Sequence, residues 1–314
     1  MFDLLEKLVK YKTTEGNYKE IDDAIACCLG YFGELKIFTV EKTIDKNKSI
    51  FISNANDFNV DVLSICHMDV VPMQSNIYDV TKRNNNIICG RGVFDMKGFL
   101  VSAIHNLKKA VVQNIKTKYG VLIVSNEETA TESDTKHWSN IIKTKVVLDS
   151  DSGNGDINSI VKDNLGAITI KLSKLDAETI DLIKRQFSEF YCDVVENEID
   201  ILFNDENIKE NLEKCMRNDT KIDVLMFNNY IKNNINDKCQ ILYKNLLKEL
   251  LNIDVKYITS RTTTDSRFFS GKCDSIISHQ AIGGNYHSEN EWLDFNSLIK
   301  FNELQFEFLK NYNK

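Results

Sequence analysis

The stretch His67-Met68-Asp69-Val70-Val71-Pro72 decides the fold, because it follows directly on a short apolar run at residues 62–66. That run is rich in apolar and β-branched residues and predicts a buried strand. Side chains two positions apart on a strand point to the same side, so His67 and Asp69 leave the sheet together, at the strand end where open α/β sheets place their sites. We therefore predict that His67 binds a metal ion and that Asp69 orients its ring. This spacing alone leaves a self-satisfied surface pair open as the alternative.

The composition narrows the class of protein. The 314 residues carry a net charge of −7, which argues against a general binder of nucleic acid or of anionic membranes. No apolar run approaches the length of about 20 residues that a membrane span needs, and the N-terminus lacks a signal-peptide pattern. The eight cysteines are scattered without a CxxC pair, so we expect reduced thiols and a cytoplasmic protein.

The order of the predicted elements indicates an α/β domain with an insertion. Strands, acid-bearing loops and helices alternate at first, and the same pattern returns near the end of the chain. We predict a mixed central sheet with flanking helices in residues 1–162 and 237–314, which form the catalytic metal-binding domain. Residues 163–236 contain no histidine and predict a small inserted α+β lid domain, with a helix over 177–190 and one strand over 194–203.

Side chains that bind metals gather in five predicted loops. Two histidines with several carboxylates and no cysteine suit Zn²⁺, Mn²⁺ or Co²⁺, and more than one ion. Two ions about 3.5–4 Å apart need a bridging carboxylate, and the count allows Asp95 in that role. One acid then remains as a general base that is not tied to a metal. The loops offer His67 with Asp69, Asp95, Glu127 with Glu128, Asp149 with Asp151, and His287 with Glu291.

Five motifs resemble those of M20-type metallohydrolases, the family that contains acetylornithine deacetylase, succinyl-diaminopimelate desuccinylase, aminoacylases and several peptidases. They occur in the family's order, and the resemblance covers residues 1–160 and 240–314. It implies a co-catalytic zinc-peptidase-like fold and two divalent metal ions, zinc first, with cobalt or manganese as alternatives. The motifs are HMDVVP at 67–72, GRGVFDMKG at 90–98, NEE at 126–128, TDSRF at 264–268 and HSENE at 287–291.

The resemblance also implies a role for each motif residue. The last metal ligand is an acid after an apolar strand, and we prefer Asp149 to Asp151 because Asp149 follows the strand directly. Arg267 would hold a substrate carboxylate through its bidentate fork. The implied metal ligands are His67, Asp95 as the bridge, Glu128, Asp149 and His287, with Glu127 as the general base and Asp69 orienting His67.

The implied activity is that of a metal-dependent amidohydrolase that removes the acyl group from an N-acyl amino acid. The alternative activity is that of a di- or tripeptidase, which the Leu-Asp-Ser-Asp run at 148–151 favours. An alternative from another class is a non-catalytic protein that binds a ligand and keeps its metal ions. The resemblance leads us to expect a lid histidine that reaches into the partner subunit's site, which 163–236 lacks. We therefore expect either a monomer or a homodimer. The expected partner is a small-molecule N-acyl amino acid or a short peptide, with no nucleic acid and no membrane.

Overall fold

The computed structural model describes residues 1–75, 78–84, 86–129, 133–174, 176–187, 191–195, 197–216 and 220–313. Its helices are α1 (Phe2–Lys10), α2 (Tyr18–Gly30), α3 (Lys97–Val112), α4 (Thr135–Trp138), α5 (Ala177–Gln186), α6 (Ile208–Lys214), α7 (Lys238–Leu251) and α8 (Phe295–Asn311), with a short 3-10 helix at Asp265–Phe269. Its strands are β1 (Phe38–Ile44), β2 (Asn47–Ser53), β3 (Val62–His67), β4 (Thr81–Lys82), β5 (Ile87–Cys89), β6 (Tyr119–Val124), β7 (Val146–Asp149), β8 (Ser159–Asn164), β9 (Gly166–Leu172), β10 (Cys192–Val195), β11 (Glu198–Phe203), β12 (Ile222–Asn228), β13 (Ile231–Lys232), β14 (Lys256–Ser260), β15 (Ser275–His279), β16 (Gly283–Gly284) and β17 (Trp292–Asp294).

The central sheet is mixed, which confirms the predicted fold class. Its strand order is β1-β2-β6-β3-β7-β15-β8, and both β13 and β14 pair with β8. The four middle strands β6, β3, β7 and β15 run parallel, whereas β2 and β8 join them antiparallel. Because the carboxyl ends of parallel strands meet at one edge, the loops after these four strands come together.

Helices and loops cover both faces of the central sheet. Every residue of β3 is buried, and its side chains alternate between two apolar clusters. Val62 and Cys66 belong to the cluster beneath α1, α2, α3, α7 and α8, whereas Leu63 and Ile65 pack with Trp138 on the opposite face. Burial on both faces explains why the middle strands read as continuous apolar runs rather than as alternating ones.

Residues 166–228 build a separate four-stranded sheet. Its order is β10-β11-β9-β12, and every pair is antiparallel. Helices α5 and α6 pack on it through an apolar cluster of their own, which includes Ile170, Ile183 and Leu212. This separate core supports the proposal of a lid domain over 163–236, although β8 and β13, at the two ends of that range, pair within the central sheet.

Three elements differ from the sequence predictions. The strand predicted over 194–203 is a hairpin, in which β10 pairs with β11 and Val195 lies opposite Glu198. The helix predicted over 177–190 ends at Gln186, and positions 188–190 lie outside the described residues. Strand β8 has no counterpart in the prediction. Among the described residues, none of the helices combines enough length and apolarity to cross a bilayer.

Candidate metal centre

Asp95 lies between the two histidines that the sequence singled out. His67 is the last residue of β3 and is buried, with its Nε2 atom 3.0 Å from Asp95 Oδ1. From the far side, His287 Nε2 lies 3.0 Å from Asp95 Oδ2 and 2.9 Å from Glu128 Oε2. Each carboxylate oxygen of Asp95 therefore faces a different imidazole, which is the arrangement expected of a carboxylate that bridges two cations.

Two groups of possible ligands share His67. His67, Asp95 and Glu128 offer ligand atoms within 4.8 Å of one another, and His67, Glu127 and Asp151 form a second such group. The residues come from loops after β3, β6 and β7, together with the loop that precedes α3. Residues up to 84 positions apart in the sequence, His67 and Asp151, thus converge at the carboxyl edge of the parallel strands.

The geometry favours Asp151 over Asp149 as the ligand of this loop. The Oδ2 atom of Asp149 accepts hydrogen bonds from three hydroxyls, those of Thr264, Ser266 and Ser278, at 2.7, 2.6 and 2.9 Å. Its Oδ1 atom accepts the backbone N–H of Asp151 at 3.0 Å. Asp149 is therefore occupied as the acceptor that holds the loop, whereas Asp151 carries its carboxylate into the ligand group. Our preference for Asp149 as a ligand changes accordingly.

The site concentrates buried negative charge. Burial raises the pKa of Glu127 well above its ordinary value, and the nearby Asp265, Asp69 and Glu128 carboxylates add to that effect. Burial likewise raises the pKa of Asp151, with further contributions from Asp95 and Glu127. Such a cluster is costly unless a cation neutralises it. Hydrogen bonds to Asp95 and Glu128 raise the pKa of His287 to about 10, so the cluster attracts positive charge.

These residues fit a pair of divalent cations. Neutral imidazole nitrogen and carboxylate oxygen are the donors that zinc and similar borderline ions take, and no thiol is among them. Asp69 meets the further requirement that a ligand histidine be held in place. Its backbone carbonyl lies 3.0 Å from His67 Nδ1, and its carboxylate Oδ1, which has no hydrogen-bond partner among the described residues, lies 3.6 Å from the same nitrogen.

Asp69 also reaches a second candidate ligand. Its Oδ2 atom accepts the backbone N–H of Glu128 at 2.8 Å, so Asp69 contacts His67 through its backbone carbonyl and holds the Glu127–Glu128 loop through its carboxylate. The sequence suggested the contact to His67 because the two residues are two positions apart on a strand. Nothing in the sequence indicated the contact to Glu128, which joins residues 59 positions apart.

Glu291 holds the loop that carries Asp95. Its buried carboxylate accepts the backbone N–H groups of Gly92, Phe94 and Asp95 at 2.9–3.0 Å and a hydrogen bond from Arg91 Nη1 at 3.0 Å. Gly92 has a φ of +82°, and a Cβ there would lie 2.8 Å from Val70 Cγ1, so the tight turn requires glycine. The peptide bond between Asp95 and Met96 is cis.

Gln280 holds the loop that carries Asp151 through hydrogen bonds, and the sequence did not indicate this role. It follows β15, is buried, and accepts from the Ser152 hydroxyl at 3.1 Å and the Asn154 N–H at 3.0 Å. Its Nε2 atom donates to the Ser150 carbonyl at 2.8 Å. A glutamine next to a strand gives no recognisable signal in a sequence, since its partners lie about 130 positions earlier in the chain.

Arg267 makes an ion pair rather than an open clamp. Its side chain is 8% exposed, its Nη1 atom lies 3.4 Å from Asp265 Oδ1, and its guanidinium carbon lies 4.3 Å from the centre of the Phe268 ring. Asp265 in turn lines the buried cavity beside Glu127. The role of Arg267 in holding a substrate carboxylate stays a prediction.

The remaining three histidines lie outside the cluster. His279 is buried in β15 and lies 3.0 Å from the Tyr243 hydroxyl, and His105 contacts Tyr31. His137 lies 2.7 Å from Lys42 on the surface. An open cleft adjoins the metal centre, and its lining residues include Phe94, Asp95, Glu127, Glu128, Asp151, Gly153, Thr262, Thr263, Gln280, Tyr286 and His287.

The fold and the site together define the class of protein. A mixed α/β sheet that carries two adjoining histidine–carboxylate groups at its strand ends is typical of hydrolases that use two metal ions. The family model described as peptidase family M20/M25/M40 matches residues 63–311. The chain belongs to that family, which confirms the expected class of metal-dependent hydrolases that act on amide bonds.

Similar proteins include both deacylases and peptidases. An acetylornithine deacetylase from Buchnera aphidicola subsp. Schizaphis graminum is 27% identical over 136 residues, a match that spans 40% of this chain and 35% of that relative. A tripeptidase structure from Staphylococcus aureus superposes with a TM-score of 0.74 at 15% identity, covering 98% of this chain and 96% of that one. A dinuclear metal-binding peptidase of the M20 family from Bacillus subtilis gives a TM-score of 0.67 at 11% identity, covering 99% and 97%. At these identities the two structures support the fold alone.

Proposed function

We propose that this protein is a di-metal amidohydrolase that removes the acyl group from an N-acyl amino acid. The observation that carries the proposal is the position of Asp95, whose two oxygens each face a histidine, with Glu127 in the adjoining cavity. In this assignment His67, Asp95 and Asp151 hold one cation, and Asp95, Glu128 and His287 hold the other. We propose zinc, because two imidazoles with carboxylates form a borderline donor set.

Glu127 is the general base of the proposed reaction. When bound, the two cations would supply Lewis-acid polarisation of the scissile carbonyl and increase the acidity of the attacking water. The Glu127 carboxylate takes the proton from that water as the oxygen adds to the carbonyl carbon, and then passes the proton to the nitrogen of the leaving amine. Its burial suits this role, because burial raises the pKa of Glu127 above its ordinary value and a carboxylate with a raised pKa accepts a proton more readily.

The second candidate is a di- or tripeptidase. It is favoured by the Leu-Asp-Ser-Asp run at 148–151, whose second acid, Asp151, lies in one of the two candidate ligand groups. The deacylase is favoured by the sequence match to an acetylornithine deacetylase, which covers only part of either chain. For both candidates the substrate is a short peptide or an N-acyl amino acid. We also propose a cytoplasmic location, supported by the eight cysteines, all of which are free thiols.

A substrate panel with one variant tests the proposal. Zinc-loaded protein is incubated with N-acetyl, N-succinyl and N-formyl amino acids and with di- and tripeptides, and released amine is measured. We expect turnover of an N-acyl amino acid, and we expect Glu127→Gln to bind two zinc ions while its kcat falls by a factor of about 10²–10⁴. The matched control is Glu303→Gln, at an exposed position of α8, which should keep full activity.

The outcomes separate the candidates. Release of amino acids from peptides alone would favour the peptidase. Zinc-dependent activity that survives Glu127→Gln at the wild-type level would remove the assigned base.

A further inference from the structure

The proposed reaction creates a negative charge on the scissile carbonyl oxygen, which a hydrogen-bond donor of the protein can stabilise in addition to the cations. As water adds to the carbonyl carbon, the carbonyl oxygen becomes an oxyanion, and a donor aimed at it is commonly among the largest contributions to the rate. Four residues with uncharged donor side chains line the cleft: Thr262, Thr263, Gln280 and Tyr286. The question is which of these donors is available to a substrate.

Two of the four are engaged within the protein. The Thr262 hydroxyl donates to the Ser152 carbonyl at 3.0 Å, and the Gln280 amide donates to the Ser150 carbonyl at 2.8 Å. Both bonds hold the backbone next to Asp151, so turning either donor towards a substrate would leave a carbonyl without its partner. Thr263 and Tyr286 remain.

Tyr286 lines the cleft next to His287, which is a metal ligand in the proposed function. Its ring packs edge-on against the imidazole of His287, with ring centres 5.1 Å apart and planes at 80°. Its hydroxyl lies beside Gly153, two residues beyond Asp151, because a Cβ at Gly153 would come within 3.3 Å of that oxygen. The phenol therefore reaches from the His287 loop to the Asp151 loop.

The hydroxyl of Tyr286 is available. No hydrogen bond joins it to another of the described residues, and the side chain is partly exposed at 37%. Gly153 adopts a φ of +67°, which favours glycine, and the absence of a side chain there leaves room for the phenol oxygen. The Tyr286 hydroxyl is carried by a rigid ring that packs against His287, whereas the Thr263 hydroxyl is on a short side chain and rotates more freely. The position of the Tyr286 donor is therefore better fixed.

We propose that the Tyr286 hydroxyl donates a hydrogen bond to the oxyanion that develops on the scissile carbonyl oxygen. Water forms the new C–O bond, the π pair of the carbonyl moves to its oxygen, and the C–N bond breaks when that pair returns. The proton that Glu127 carries ends on the amine nitrogen, and Tyr286 keeps its own proton throughout. This inference rests on the proposed function and adds a catalytic residue to it.

The test is Tyr286→Phe, which removes one oxygen and leaves the ring against His287. We measure kcat and KM on the substrate that the wild type turns over fastest, the zinc content, and the Kd of the phosphinic analogue of that substrate as a tetrahedral probe. We expect kcat to fall by a factor of about 10²–10³, with KM changed less than twofold, two zinc ions retained, and the analogue bound more weakly by a similar factor. The matched control is Tyr18→Phe, at an equally exposed tyrosine of α2, which should leave all four quantities unchanged.

Several results would overturn the inference while the proposed hydrolase stands. These are a kcat for Tyr286→Phe within threefold of the wild type, a rise in KM alone, or a loss of zinc that accounts for the lost rate. A loss carried by Thr263→Val and not by Tyr286→Phe would assign the donor to Thr263. Wild-type protein that turns over nothing in the panel would instead remove the proposed function, and this inference with it.

Discussion

Replacing Glu291 by alanine should destabilise the protein strongly, because this carboxylate serves four donors at once. Glu291 is 1% exposed and Arg91 is 3% exposed, so their contact at 3.0 Å is an ion pair removed from water. Without Glu291, the Arg91 guanidinium stays buried without a counter-charge, and breaking one side of such a pair costs about 3–5 kcal/mol. The N–H groups of Gly92, Phe94 and Asp95 lose their acceptor as well.

The assay is urea unfolding of chelator-treated protein, so that lost metal binding does not add to the measured difference. The buried Trp138 is a suitable fluorescence probe. We expect the free energy of unfolding of Glu291→Ala to fall by about 3–5 kcal/mol. The control is Glu210→Ala, which removes an exposed helical ion pair with Lys214 and should cost no more than about 0.5 kcal/mol.

A double variant separates the buried charge from general damage to the loop. Adding Arg91→Ala to Glu291→Ala should restore part of the lost stability, because the uncompensated guanidinium is then gone. Two results would refute the reasoning: a loss below about 1 kcal/mol for Glu291→Ala, or effects of the two substitutions that simply add.

Three further predictions follow from the site and the core. In equilibrium dialysis, Asp151→Asn should bind one zinc ion instead of two, whereas Asp149→Asn should still bind two. In urea unfolding, Asp149→Asn should lose about 1.5–3 kcal/mol of stability. Burial lowers the pKa of His279 to about 4, so between pH 6.5 and 4 the unfolded state binds a proton that the folded state does not. The free energy of unfolding should therefore fall by up to about 3 kcal/mol as the pH drops through that range. In a series of unfolding curves at different pH values, His279→Gln should not show this fall. Zinc at 100 times its Kd should stabilise chelator-treated protein by about 2.7 kcal/mol in thermal unfolding, and His67→Ala should lose most of that gain.

The sequence predicted the fold because its middle strands are short apolar runs that end in histidine or acid. His67 is the last residue of β3, and Glu127 lies three positions after the end of β6, so the pattern of strand and loop is visible in neighbouring residues. Strand β8 was missed because it lies where the apolar pattern gives way to polar residues, Lys162 to Asn164. The hairpin of β10 and β11 was taken as one strand because only two positions in the sequence, 196 and 197, separate the two strands.

The choice between Asp149 and Asp151 could not be made from the sequence. Both acids follow the same apolar run, and the deciding contacts come from Thr264, Ser266 and Ser278, more than 110 positions later in the chain. Strand β15 brings Ser278 into register with Asp149, and only that pairing shows which carboxylate is already occupied. Two other roles also depend on contacts between distant segments. Gln280 accepts the Asn154 N–H, and Asp69 accepts the Glu128 N–H.

The most direct test of the central claim is anomalous diffraction from crystals of the zinc-loaded protein, recorded on both sides of the zinc absorption edge. We predict two peaks about 3.5–4 Å apart, with the Asp95 carboxylate between them, His67 and Asp151 on one ion, and Glu128 and His287 on the other. A single peak, no peak, or a zinc ion held by Asp149 would contradict the account.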